Sequence, residues 1–97
     1  MKYELVDEKL TFYLEGELNS ATSEETEEAI DAVIEKNEFN VLVIDLDKLT
    51  YMSSAGLRIM MKLRQKHNEM FLINVPDDVY DVFSMVGLTS FFNVKRK

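Results

Sequence analysis

The stretch that decides the fold is Val41-Leu42-Val43-Ile44-Asp45-Leu46-Asp47-Lys48-Leu49-Thr50-Tyr51-Met52-Ser53-Ser54-Ala55-Gly56-Leu57. Its first four residues form a short, apolar and largely β-branched run, which is typical of a central strand covered on both faces in a parallel sheet. The polar residues from Asp45 to Lys48 predict the end of that strand. Ser53 or Ser54 then caps a helix that continues to about Lys66, because a serine hydroxyl can accept a hydrogen bond from the first helical turn.

On the N-terminal side of this stretch, the pattern predicts two short strands and a helix. Residues 2–6 and 10–14 have strand character, and Gly16 ends the second strand. An amphipathic helix of about four turns follows and ends near Asn37. Its candidate N-caps are Asn19, Ser20 and Thr22, and its apolar side consists of Ala29, Ile30, Val33 and Ile34.

On the C-terminal side, the pattern predicts a strand over residues 70–73, a third helix and a last strand over residues 91–94. The third helix starts at Pro76 and ends at Gly87 in a left-handed cap on which Leu88 folds back. Its apolar residues are Val79, Val82, Phe83 and Val86. The resulting order, ββαβαβαβ, predicts an α/β fold with a mostly parallel central sheet and helices packed against it.

Composition limits the kind of protein. The 97 residues are 46% hydrophobic and 30% charged, which predicts one globular domain over residues 1–97. No apolar run approaches the ~20 residues of a membrane span, and no basic segment leads into an apolar one as in a secretory signal. Cysteine is absent, so disulfides, thiolate metal sites and cysteine nucleophiles are excluded. We expect a cytoplasmic protein without a membrane span.

Charge argues against nucleic acid as a partner. The net charge is −7, and residues 1–40 carry twelve acidic and three basic side chains. An acidic chain repels phosphate backbones. The basic residues Arg58, Lys62, Arg64 and Lys66 share the second helix, where they are read as a solvated face.

Catalytic motifs are weak in this chain, and we expect neither an enzyme nor a bound metal or cofactor. His67 is the single histidine and is read as a surface imidazole, and glycine-rich phosphate loops are absent. Asp45-Leu46-Asp47 after an apolar strand resembles the opening motif of haloacid-dehalogenase-type phosphatases, in which the first Asp is the nucleophile and both carboxylates hold magnesium. Thr50 lies one position beyond the hydroxyl of that motif, and two acids after a strand are usually turn or capping residues. An enzyme of this type would lose magnesium-dependent phosphatase activity in Asp45→Asn.

The second predicted helix is apolar around an unusually wide part of its circumference. Leu57, Ile59, Met60, Met61 and Leu63 span roughly 200°, more than the ~100° needed to dock on a sheet. Two explanations fit this width equally well. Either the helix is buried on several sides, or part of its apolar surface binds a protein partner, with methionine as an adaptable contact residue.

Three landmarks in order resemble the STAS domain family, and more narrowly its anti-sigma factor antagonists. The first is Asp45 to Leu57 with its Ser-Ser-x-Gly-Leu segment, the second is Leu14-Glu15-Gly16-Glu17-Leu18-Asn19, and the third is Val82 to Leu88 with its final Gly-Leu. The match covers roughly residues 8–94. The resemblance implies a STAS-like single α/β domain without a catalytic residue of its own.

The resemblance also implies a function and a site. Anti-sigma factor antagonists bind an anti-sigma factor that is also a serine protein kinase. This binding releases the sigma factor. The kinase phosphorylates a serine at the start of the second helix, and a serine phosphatase acting on the phosphorylated form reverses the switch. Counting back from Gly56, the acceptor is Ser54, with Ser53 as second choice. The implied partner-binding residues are Asn19, Ser53, Ser54, Ala55, Gly56, Leu57, Met60 and Met61.

Some positions depart from the family pattern. Ser53 and Asn19 stand where many members carry Asp, and Ala55 stands where many carry Ser or Thr. Gly56 allows a close backbone approach, either by the kinase or by a neighbouring strand. An alternative function keeps the fold without the switch, because STAS domains also serve as non-phosphorylated subunits of lipid-transport ATPases or as scaffolds of other assemblies. In that case Ser54 only caps the helix.

Overall fold

The computed structural model describes residues 1–85 and 87–97, and its helices and strands follow the predicted order. The elements are β1 (Lys2–Val6), β2 (Lys9–Leu18), α1 (Ser23–Lys36), β3 (Val41–Met52), α2 (Ser54–Lys66), β4 (Met70–Val75), α3 (Asp77–Met85) and β5 (Asn93–Arg96). The strands form one sheet in the order β1-β2-β3-β4-β5. β1 is antiparallel to β2, and every later neighbour is parallel. The predicted α/β fold with a mostly parallel sheet is confirmed.

A two-residue turn joins β1 to β2. Asp7 and Glu8 have φ angles of 50° and 65°, the left-handed backbone that a type I′ turn requires at both positions. Val6 and Lys9 pair directly across this turn. Because the turn is so short, it fixes the register of the whole hairpin. All five residues of β1 are exposed.

Two of the predicted strand ends are wrong. Gly16 does not end β2, which continues to Leu18, and the polar residues after Ile44 do not end β3, which continues to Met52. The reason is a pair of irregularities between the two strands. The pairing passes from Tyr13↔Asp45 to Glu15↔Lys48, and then from Gly16↔Leu49 to Glu17↔Tyr51.

At each irregularity β3 contains one residue more than β2, as in a β-bulge. The first bulge is held by the Asp45 carboxylate, which accepts hydrogen bonds from the Asp47 backbone N–H at 2.9 Å and from the Asn74 side chain at 3.2 Å. Beyond it, Leu46, Leu49 and Met52 are buried at intervals of three residues instead of two. Because of the two bulges, β3 continues to Met52 although its residues no longer alternate between buried and exposed.

The three helices cover one face of the sheet. The buried side chains of α1, α2 and α3 join one core cluster with alternate residues of the strands, such as Leu42 and Ile44 of β3. Val43 lies between them and faces the opposite side, where it is 6% exposed and outside that cluster. Leu42, Val43 and Ile44 are all buried, so this strand is covered on both faces as predicted, although the helices lie on one side only. Its apolar run is explained by a second face on which strand side chains bury one another.

The helix boundaries follow local hydrogen bonding. α1 has the predicted four turns, and the backbone N–H of Asn37 donates to the Ile34 carbonyl at its end. Gly87 has a φ of 74°, and the Leu88 N–H donates to the Phe83 carbonyl at 2.8 Å, which confirms the predicted left-handed cap. Val86, predicted on the apolar side of this helix, lies outside the described residues.

The last strand begins two residues later than predicted. The backbone N–H groups of Phe91 and Phe92 both donate to the Leu88 carbonyl at 3.0 Å, so these residues form a turn and β5 starts at Asn93. The aromatic ring of Phe92 is buried in the core beside Phe83, at a centroid distance of 5.6 Å.

Within the described residues, none of the helices has the length and apolar character that crossing a bilayer demands.

Candidate functional site

The candidate site is the N-terminus of α2, where β3 leaves the sheet. Ser53 is the N-cap: its backbone is extended, and its hydroxyl oxygen accepts a hydrogen bond from the Ala55 N–H at 3.2 Å. The Ser53 N–H donates to the Leu18 carbonyl at 2.9 Å, which fastens the start of the helix to the end of β2. Of the two serines that could cap this helix, the structure selects Ser53.

Ser54 is the first residue of α2, and its side chain is exposed. Within the described part of the chain, its hydroxyl makes no hydrogen bond of its own. The first turn of α2 contains no acidic residue, whereas α1 has Glu24 and Glu25 there and α3 has Asp77 and Asp78. Because unpaired backbone N–H groups and the helix dipole favour an anion at this end, Ser54 stands where a phosphate is well tolerated.

Gly56 is buried and contacts the sheet. A Cβ atom at this position would lie 2.7 Å from Met52 Cγ and 2.9 Å from Leu18 Cγ. Of the two explanations for this glycine, the structure therefore favours the close approach of a neighbouring strand. Because Gly56 is buried, it offers little surface to a partner, and its place among the contact residues stays a prediction.

The wide apolar arc of α2 divides into a buried part and an accessible part. Ile59, Met60 and Leu63 are 0–4% exposed and belong to the core. The prediction of Met60 as a partner contact is therefore wrong, because its side chain is fully buried inside the domain. Leu57 and Met61 pack against the edge of the core and remain half-buried. Burial thus explains part of the arc, and Leu57 and Met61 leave an accessible apolar surface beside it.

Leu57 and Met61 line a shallow groove of about 530 Å³ next to Ser54. Leu88, which follows the cap of α3, forms the opposite wall, and Arg58 borders the groove. Ser54 and Arg58 are four residues apart and so lie on the same side of α2. The site therefore combines an exposed hydroxyl, an apolar groove and one cation around the first turns of α2.

Asn19 lies beside the site because the carbonyl of the preceding residue, Leu18, accepts the hydrogen bond from the Ser53 N–H. Its side-chain oxygen accepts hydrogen bonds from the Ala21 and Thr22 N–H groups at 2.9 and 3.1 Å. The Thr22 hydroxyl in turn donates to the Glu17 carbonyl at 2.9 Å. Asn19 thus shapes the loop before α1 and is half-buried, so part of it remains accessible next to Ser53. Ala55 is also half-buried.

Two residues of the site were not predicted as part of it. Arg58 was grouped with a solvated basic face, although its spacing of four from Ser54 could have placed it at the site. Leu88 was noted only as part of the cap of the third helix. No local sequence pattern places Leu88 against α2, because Leu88 and α2 come together only in the tertiary fold.

The two aspartates considered for phosphatase chemistry have structural partners. The Asp45 carboxylate is used in the bulge, and Asp47 lies 3.2 Å from the Lys97 ammonium group. Among residues 1–85 and 87–97, no three His, Asp or Glu side chains are grouped to hold a metal ion. His67 is half-buried at the other end of α2 and packs against Phe39 in a tilted arrangement, with ring centroids 5.5 Å apart. Burial and, secondarily, Lys66 lower its pKa.

Comparison with known proteins gives a consistent family. A family model described as STAS domain matches residues 1–97. The Bordetella bronchiseptica protein BtrV, which carries the name of an anti-sigma factor antagonist, is 39% identical over 93 residues, or 92% of this chain and 79% of BtrV.

Solved structures give the same fold. An anti-sigma factor antagonist from Mycobacterium paratuberculosis has a TM-score of 0.88 at 23% identity, covering 99% of this chain and 84% of its own. The Bacillus cell fate determinant SpoIIAA in its phosphorylated form has a TM-score of 0.71 at 20% identity, covering 96% of this chain and 88% of its own. At these identities the two structures show a shared fold.

Proposed function

Because this chain belongs to the STAS domain family, we propose that it is an anti-sigma factor antagonist that is switched off by phosphorylation of Ser54. In this function it binds an anti-sigma factor that is also a serine protein kinase, and a sigma factor is released. A serine phosphatase acting on the phosphorylated form restores binding. The domain acts as a binding protein and contributes no catalytic residue.

The observation that carries the proposal is that one of the two serines caps α2 and the other does not. Ser53 caps α2 through its hydroxyl, so modification of Ser53 would remove a hydrogen bond that stabilises the helix. Ser54 is exposed and is not the cap. Ser54 is therefore the serine that can gain and lose a phosphate without cost to the fold, which supports it over Ser53.

The docking surface consists of Ser54, Leu57, Met61, Leu88 and the accessible part of Asn19. Leu57 and Met61 offer apolar area next to the hydroxyl, and Leu88 extends that area onto a second element. The surface lies on a helix anchored to the sheet, so little ordering is needed when a partner binds. Its apolar character suits a partner that covers the groove with apolar side chains of its own.

A phosphate at Ser54 acts at the interface while the domain itself stays folded. It adds about −1.5 to −2 charges near neutral pH. In the free protein this charge meets the N-terminus of α2 and lies on the same side of the helix as Arg58. In the complex the same charge must be desolvated against the apolar groove. A penalty of about 3 kcal/mol would weaken binding ~100-fold, because each 1.4 kcal/mol is a factor of ten.

The experiment uses the small ATP-binding anti-sigma factor kinases encoded in the same genome. Each purified kinase is titrated with this protein by calorimetry. For the cognate kinase, we expect Ser54→Ala to bind like the wild type and Ser54→Asp to bind about 100-fold more weakly. Gln65→Glu is the matched control, because it adds one negative charge to an exposed position at the other end of α2 and should leave the affinity unchanged.

The same kinase with ATP should add one phosphoryl group to the wild type and none to Ser54→Ala, as measured by mass spectrometry. If the kinase phosphorylates Ser53 in the Ser54→Ala variant, the switch would be Ser53 and not Ser54. Equal affinity of Ser54→Asp and wild type would contradict the switch altogether. Binding without any phosphorylation would favour the alternative of a constitutive STAS subunit.

A further inference from the structure

β1 is an edge strand with an unusual surface. In the five-stranded sheet it pairs only with β2, so its other edge carries unpaired backbone groups in the described structure. Met1, Tyr3 and Leu5 are 38–48% exposed. Tyr3 and Leu5 pair with Phe12 and Leu10, so they point toward the helical side of the sheet but lie beyond the helices that cover it. Exposed edges of this kind favour pairing with another strand.

The hairpin determines which backbone groups are free. Val6 and Lys9 flank the two-residue turn and form its closing hydrogen-bonded pair, and such pairs recur at every second residue of an antiparallel ladder. The N–H and C=O groups of Lys2, Glu4 and Val6 therefore face β2. Those of Tyr3 and Leu5 face outward, so only odd-numbered residues can bond to a further strand.

Charge selects one register for a second copy of β1 lying antiparallel to the first. If Tyr3 faces the partner's Tyr3, each Lys2 lies directly opposite the partner's Glu4 and each Leu5 lies opposite the partner's Met1. The Tyr3 pair is then hydrogen-bonded, as the free edge requires. The Lys2–Glu4 pairs occupy the non-hydrogen-bonded positions, where opposite side chains come closest. If the register shifts by two residues in one direction, Glu4 lies opposite the partner's Glu4. If it shifts by two in the other direction, Lys2 lies opposite the partner's Lys2. Each shift therefore places like charges opposite each other.

We propose that this edge binds a second copy of the chain in that register and forms a symmetric dimer with a continuous ten-stranded sheet. Each ion pair occurs twice by symmetry, and Met1, Tyr3 and Leu5 of both copies form one apolar cluster. A two-fold arrangement closes on itself, so it ends at the dimer instead of growing into a filament. None of the residues of the docking surface defined above belongs to β1.

Five residues per strand make a small interface, well below the ~800 Å² per partner of a standard one. The dimer is therefore weak and concentration-dependent. Sedimentation equilibrium at low salt, from about 10 µM to about 1 mM, should show a monomer–dimer equilibrium for the wild type. Amide hydrogen exchange supplies a second measurement: the Tyr3 and Leu5 N–H groups should become protected as the concentration rises, whereas those of Lys2 and Glu4 are protected by β2 at every concentration.

Charge reversal tests the register. Glu4→Lys makes both positions basic and Lys2→Glu makes both acidic, so each variant alone should associate at least about tenfold more weakly than the wild type. An equimolar mixture of the two variants should form a heterodimer, and the double variant Lys2→Glu/Glu4→Lys should recover the wild-type homodimer. Lys9→Glu reverses a charge on the neighbouring strand and should leave association unchanged. All three positions, Lys2, Glu4 and Lys9, are exposed, so the fold tolerates these changes.

Three outcomes would overturn the proposal. The first is a monomer at the highest concentration, which would leave this edge without a second copy. The second is a dimer that both single variants retain, which would place the contact elsewhere or show an exchange of strands. The third is association that neither the mixture nor the double variant restores, which would show that the charges do not face each other.

Discussion

Gly56→Ala should destabilise the domain, even though alanine normally stabilises a helix. The added Cβ would lie 2.7 Å from Met52 Cγ and 2.9 Å from Leu18 Cγ. Neither atom is the free end of a side chain: Met52 Cγ is in mid-chain and Leu18 Cγ is a branch point. The start of α2 must therefore move away from the ends of β2 and β3, or both side chains must leave their preferred rotamers.

The net cost follows from two opposing effects. Overpacking of a well-packed core costs about 1–3 kcal/mol, and alanine gains about 0.5–1 kcal/mol over glycine in a helix. We expect the free energy of unfolding to fall by about 1–2 kcal/mol, which corresponds to a fall in Tm of roughly 5–15 °C for a domain of this size.

Urea denaturation and a thermal scan measure this loss. Ala32→Gly, at an exposed position of α1, serves as control because it measures helix propensity without a steric contribution. A second control combines Gly56→Ala with Met52→Ala, in which the nearer clash is removed; the cost of the alanine at position 56 should be smaller in that background. If Gly56→Ala is neutral or stabilising, the close approach of α2 to the sheet is not what requires glycine.

The two serines and the histidine give further predictions. Ser53→Ala should lower the free energy of unfolding by about 1 kcal/mol because it removes the N-cap. Ser54→Ala should change the free energy of unfolding by less than about 0.5 kcal/mol. Urea denaturation measures both, and equal effects would contradict the assignment of the cap to Ser53. Burial, followed by Lys66, lowers the pKa of His67 below its usual value of about 6.5, so the unfolded chain takes up this proton at a higher pH than the folded one. The contribution of His67 to stability is therefore present at neutral pH and declines as the pH falls through about 6.5. The difference between wild type and His67→Gln should shrink or reverse from about pH 7.5 to about pH 5.5, and a difference that does not depend on pH would contradict the lowered pKa.

Much of the fold follows from local pattern. The alternation of apolar strands and amphipathic helices predicted the ββαβαβαβ order, and the landmarks around Gly56 predicted the STAS family, which the family match over residues 1–97 confirms. These features are predictable because helix periodicity and turn residues act over a few positions.

The errors arose where distant parts of the chain meet. The residues from Asp45 to Lys48 look like a strand end, but their polar groups are satisfied in a bulge by Asn74, which lies on the next strand. The apolar run Val41–Ile44 predicts a strand covered on both faces but not what covers each one: the helices cover one face, and strand side chains bury Val43 on the other. In each case the deciding contact is between elements, so no local window of sequence contains it.

The site shows the same limit. Ser53 and Ser54 are equally good caps by composition, and only the backbone path that binds Ser53 to the Leu18 carbonyl separates them. Met60 and Met61 are adjacent and chemically identical, yet one is fully buried and the other borders the groove. A difference of one residue on a helix turns the side chain by about 100°, so the exact placement of α2 on the sheet decides which methionine a partner can reach.

The hydrogen bond between Ser53 and Leu18 also bears on how the kinase of the proposed switch would recognise Ser54. Many modified serines lie in pliable segments that adapt to the cleft of a kinase. Ser54 instead follows a residue bonded to the sheet and begins a helix, so its geometry is set before any encounter. Under the proposed function, recognition would then rest on a three-dimensional epitope shared by α2, the loop at Asn19 and Leu88. A short synthetic peptide copied from this stretch would contain the acceptor but not the epitope.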